Sequence, residues 1–257
     1  MQWLSARPHV HGAPCRYAPP FPALPSTLVA LELLLGSPSL DLQKLVTVVR
    51  ADPGFTAEML RLGRRHHQPD PLSLQSCLVH LGQNTIRRAT RIVPVWIRPL
   101  TPPQIWKLRW RLKKTRLVAL AAEATSALIG DISAETAYLA GLLHDLPILT
   151  CLEDGCHCTV REFRPSLEAW NLPDCLVEVM RWHRQPWYAP AQHSVLAHRI
   201  AAVRAWVNEI QLSSNALSAG WLERISQKSE WDRFPNGTEV LQALADKLEV
   251  WRLWNLD

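Results

Sequence analysis

The sequence lacks several features, and each absence narrows the problem. No apolar run reaches the ~18–20 residues that a membrane-spanning helix needs, so none is expected among the 257 residues. The opening MQWLSARPHVHGAPC has no basic end followed by an apolar core, and a secretory signal is not expected. The six cysteines lack the regular spacing of a secreted disulfide framework; thiols in a reducing cytoplasm are the expectation. Stretches of alternating polarity bounded by hairpin signals are also missing, which leaves little room for a sheet. Apolar residues make up 47% and charged residues 20%, a composition that excludes global disorder.

The charge that is present is split along the chain. Residues 50–116 carry fourteen basic and three acidic side chains, whereas residues 117–257 carry eleven basic and eighteen acidic ones. The overall +5 therefore hides a basic stretch followed by an acidic one, and a blanket reading as a nucleic-acid-binding protein does not follow. Attraction between the two stretches needs no outside partner.

Helical periodicity dominates the rest. A Pro-rich arm covers residues 1–20. Ser26 is expected to cap a first helix bearing Leu28, Leu31, Leu34 and Leu35, and Asp41 a second bearing Leu45, Val46 and Val49. Asp52-Pro53 opens a third in the arrangement that places an acceptor at the N-cap and proline at the first helical position. Ser73 opens another that Gly82 ends. A Pro-rich break at 94–103 precedes a long helix over 104–129, broken by Gly130. Ser133 caps the next, whose stripe is Leu139, Leu142, Leu143 and Leu146, with Pro147 as its end or kink. Further helices are predicted over 166–184, 192–212 and 238–254. The predicted fold class is all-α.

Five segments in order carry a family resemblance: PALPSTLVALELLLGSPSLDLQKLVTVVRADPGFTAEMLRL, SLQSCLVHLGQNTIRRA, TAYLAGLLHDLPIL, NLPDCLVEVMRWHRQP and VLAHRIAAVRAW, with the LP entry and the DP-started helix as landmarks within the first. Together, over about residues 21–210, they resemble the HDOD family, which is all-helical and similar to HD-domain phosphohydrolases with a generally degenerate metal site. The resemblance implies two packed helical bundles, 21–100 and 104–212, the second a degenerate HD-like bundle, followed by a helical extension over 213–257. It also implies a bacterial, cytoplasmic signalling or regulatory role.

An HD hydrolase gathers imidazoles and carboxylates around a metal that activates water. By the resemblance, the paired His and Asp are His144 and Asp145. Thirty residues before His144, where a His is expected, stands Lys114; the late Asp is replaced by His198, and the double His survives only as His183. A protonated lysine cannot ligate a cation and repels one nearby. No catalytic residue, resident metal or cofactor is therefore expected. His144 and Asp145 read as a hydrogen-bonded polar pair, with Lys114 (or Lys113) as the cation facing Asp145, because an unpaired buried carboxylate is costly.

Two other clusters carry candidate chemistry. WKLRWRLKKTR interleaves Trp106 and Trp110 with Lys107, Arg109, Arg111, Lys113 and Lys114, and Arg87, Arg88 and Arg91 extend a candidate basic patch. The favoured reading packs the Trp face inward and leaves the basic face solvated; the rival is phosphate contact with base stacking. Cys151, Cys156, His157 and Cys158 do not match a usual zinc spacing. The functional expectation is a stand-alone, non-catalytic regulatory or scaffolding module that binds protein partners in signal transduction. The alternatives are a metal-dependent phosphohydrolase or phosphodiesterase, and nucleotide or nucleic-acid binding through residues 50–116.

Overall fold

A computed structural model of the chain describes residues 20–66, 72–96, 101–154 and 164–212. The Pro-rich arm up to residue 19, Cys156, His157, Cys158, the extension over 213–257 and its expected helix at 238–254 lie outside the described residues, as does the side chain of Cys151. The order is α1 (Pro25–Gly36), α2 (Leu42–Arg50), α3 (Pro53–Arg65), α4 (Leu74–Ile92), α5 (Pro102–Ile129), α6 (Ala134–Leu143), α7 (Leu146–Asp154), α8 (Arg164–Ala169), α9 (Asp174–Trp182), a 3-10 turn (Pro186–Tyr188) and α10 (Ala191–Leu212). Among the described residues there is no strand, only an isolated parallel bridge between Ala23 and Val95. The chain is all-α. It forms two compact units: Met1–Leu112 with Asp145–Arg181, and Lys113–His144 with Trp182–Asp257.

In the first unit α1, α2, α3 and α4 pack on one another over a core that includes Leu31, Leu45, Phe55, Met59 and Leu78. Asp52 organises its centre. One carboxylate oxygen accepts from the backbone N–H of Gly54 at 2.9 Å and of Phe55 at 3.0 Å, capping α3. The other accepts from Leu24 N–H at 2.7 Å, which ties down the chain entering α1. Gly54 is required beside it, because a Cβ there would stand 1.9 Å from the Pro22 carbonyl oxygen. Asp41 and Ser73 cap α2 and α4 as their sequences predict. Gly82 breaks α4 with φ +70°, a backbone conformation that glycine reaches without a Cβ clash.

In the second unit α6 packs against α10 and against the later part of α5, where Gly141 brings the backbones so close that a Cβ would lie 2.6 Å from the Ala119 Cα. Ser133 caps α6, accepting from Thr136 N–H at 3.5 Å.

Four expectations need correction. The first helix starts at Pro25, with Leu24 and not Ser26 at the cap; proline's fixed φ suits the first helical position. The helix predicted over 166–184 is two, α8 and α9, separated where Asn171 adopts φ +54° and Pro173 follows. Pro147 neither ends nor kinks α6, which stops at Leu143; it lies in the first turn of α7, where a missing N–H costs nothing. Finally, Trp106 and Trp110 do not pack inward: they are 66% and 36% exposed. Leu108 and Leu112 face the core instead, against Leu149, Leu24 and Trp96. At ~100° per residue, they lie across the helix from the two indoles.

Candidate functional site

α6 delivers His144 and the end of α9 delivers His183, both to the interior of the second unit. Their rings meet edge to face with centroids 5.1 Å apart, and a ligand nitrogen of one lies within 4.8 Å of a ligand nitrogen of the other. His144 Nδ1 is 2.6 Å from the Gly141 carbonyl oxygen. A carbonyl can only accept, so Nδ1 carries the proton and, in the neutral ring, Nε2 is the acceptor.

The bond from His144 to Asp145 carries the chain into the first unit. Asp145 heads α7: its carbonyl accepts from Ile148 and Leu149 N–H at 2.9 and 3.0 Å. A carboxylate at this position meets the positive end of the helix dipole. The group is 1% exposed and forms an ion pair with Arg111 of α5 at 3.3 Å. The sequence assigned Arg111 to the basic patch and set Lys114 or Lys113 against Asp145. Arg111 and Lys114 are three apart on one helix and share a face, so helical phase alone could not separate them. Lys114 is buried, 4% exposed, and Lys113 is exposed; both are engaged in interactions.

His183 also reaches a cavity of about 620 Å³ within the second unit, whose walls include Arg184, Trp187, His198, Arg199 and Arg204. His198 Nδ1 lies 2.8 Å from the Ser194 carbonyl oxygen and donates to it, again leaving Nε2 as the acceptor. Arg199 is buried there and donates to Ser126 Oγ and to Asp131, each at 2.7 Å. That hydrogen bond holds the Asp131 carboxyl below its ordinary pKa. The Arg199–Ser126–Asp131 group carried no motif, and nothing in the sequence marked it. Thus His183 meets His144 on one side and shares a cavity with His198 on the other.

The remaining basic-patch candidates separate by what they touch. Arg87 donates to the Leu35 carbonyl, and Arg64, an arginine of α3 outside that patch, bonds Asp174 at 3.0 Å, so both serve the first unit's packing. Arg88, Arg91, Lys107 and Arg109 are exposed. Two ion pairs, Arg64–Asp174 and Arg111–Asp145, join the basic stretch of the sequence to the acidic one.

A divalent ion could use two imidazoles and a neighbouring carboxylate. Here the single anionic donor is already paired with a guanidinium, which competes with a metal for the same charge and repels it. Among the described residues no further His, Cys, Asp or Glu joins His144, His183 and the adjoining Asp145, and His198 stays outside that group. The donors that come together are thus two imidazoles and one carboxylate that is held by Arg111.

The family model for the HDOD domain matches residues 21–162, more than half of the chain. No curated protein matches the sequence. Among solved structures, the MmoQ response regulator of Methylococcus capsulatus strain Bath is similar at 15% identity and a TM-score of 0.62, with 88% of this chain and 97% of that chain covered. A fragment of the same protein, residues 20–298, gives 15% identity and a TM-score of 0.58 over 82% and 92%. At such identity the likeness is one of fold.

Proposed function

We propose that this chain, which belongs to the HDOD family, works without catalysis, as a regulatory or scaffolding module of signal transduction that acts through protein partners. One observation carries the non-catalytic reading: the buried Asp145 heads α7 and is paired with Arg111. The residue that would ligate a metal in an HD hydrolase is used here as a structural anion. Lys114, at the position where an HD hydrolase offers a histidine, supports the same reading. The regulatory part draws support from the structural neighbour that is a response regulator.

Metal analysis of the purified protein, together with a screen against phosphomonoesters, phosphodiesters and cyclic dinucleotides, tests the reading. Substoichiometric metal and no turnover above a His144→Ala control are expected. Stoichiometric manganese, iron or zinc, with turnover lost in His144→Ala, would contradict it.

A further inference from the structure

The exposed face of α5 between Pro102 and Leu112 is left unexplained by a purely structural role. Trp106 is 66% exposed and Trp110, one turn on, 36%, while the helix anchors itself through Leu108 and Leu112 on the opposite side. Residues 102–122 contain no Asp or Glu. Lys107 and Arg109 flank the indoles, and among the described residues neither forms an ion pair. Cations near a helix N-terminus oppose the helix dipole, so they do not serve the helix. Indoles in solvent leave apolar area unburied. Both features are unfavourable in the isolated chain, and one polyanion carrying flat rings would satisfy both.

We propose that this face binds single-stranded nucleic acid, with Trp106 and Trp110 stacking on bases and Lys107 and Arg109 contacting phosphates. An anionic membrane suits the observations less well. On the helical wheel Arg109 falls between Ile105 and Trp106 and interrupts the apolar sector, while Leu108 and Leu112, which would widen it, are buried in the core. An acidic peptide would answer the two cations but need not bring flat rings to both indoles, as successive bases do.

Fluorescence anisotropy of the full chain with a labelled oligothymidylate tests the proposal, with a duplex and phosphatidylserine vesicles as comparison arms. Binding to the single strand is expected to exceed binding to the duplex. Its logarithm should fall with the logarithm of salt at a slope of about −0.7 per phosphate contacted. Trp106→Ala and Trp110→Ala should each weaken binding about tenfold, and the Lys107→Glu/Arg109→Glu pair should nearly abolish it. Circular dichroism of each variant separates lost binding from lost folding, and these exposed positions are expected to leave the spectrum unchanged. No oligonucleotide binding at low salt, binding indifferent to all four substitutions, or binding to vesicles alone would overturn the proposal.

Discussion

If Asp145 is a structural anion, its coupling to Arg111 must be measurable as stability. The pair is 3.3 Å apart, with Asp145 1% and Arg111 26% exposed. Two unit charges at 4 Å and an effective dielectric near 20 attract by about 4 kcal/mol. The partial exposure of Arg111 screens that figure, and charge-assisted hydrogen bonds contribute about 1.5–3 kcal/mol net. A coupling of about 1–3 kcal/mol follows. The experiment is a double-mutant cycle of wild type, Arg111→Met, Asp145→Asn and the double variant, each unfolded in urea. Each single substitution should destabilise, and the double should cost less than their sum by that coupling. Asp145→Asn keeps the side chain's shape and removes its charge, so the cycle reports the ion pair and not a cavity. A coupling below about 0.3 kcal/mol, within the range where independent sites simply add, would refute the reasoning.

Other consequences can be checked in the same protein. Gly54→Ala and Gly141→Ala place a Cβ against backbone atoms at 1.9 and 2.6 Å, and each should cost about 1–3 kcal/mol or more in urea unfolding; a neutral effect would show that these close approaches are not required. Cys77, whose thiol burial pushes up to about 12, should resist a thiol reagent at neutral pH until the protein unfolds, and modification at the rate of an exposed thiol would contradict its placement. Asp131 is held below the ordinary carboxylate value by its hydrogen bond to Arg199. A depressed folded pKa contributes stability above the unfolded value of 3.8 that is lost as pH falls through the folded one. The stability difference between wild type and Asp131→Asn should therefore shrink on acidification below that value, and a constant difference would count against the Asp131–Arg199 bond.

The helix starts were legible where a side chain caps locally: Asp41, Asp52 before Pro53, Ser73 and Ser133 each accept from a backbone N–H within three residues, which sequence spacing records. Leu24 was not legible, because its N–H is held by Asp52, 28 residues away. The split of the 166–184 segment turns on Asn171 entering the left-handed region, a choice that sequence periodicity does not reveal. In α5 the indoles outweighed the smaller Leu108 and Leu112 in the sequence reading, although the leucines at the opposite phase meet the core. At the candidate site, His144, Asp145 and His183 emerged from family spacing and are all buried. The ion pair of Asp145 with Arg111 did not, since Arg111 and Lys114 share a helix face and sequence spacing pointed only to the second.

The central claim, that the HD pair of this chain is structural and not catalytic, is tested most directly by elemental analysis of the purified chain after equilibration with manganese, iron and zinc and removal of unbound ion. The account predicts well under one metal per chain, and the same value in His144→Ala. One metal per chain, lost in both His144→Ala and Asp145→Asn, would contradict it.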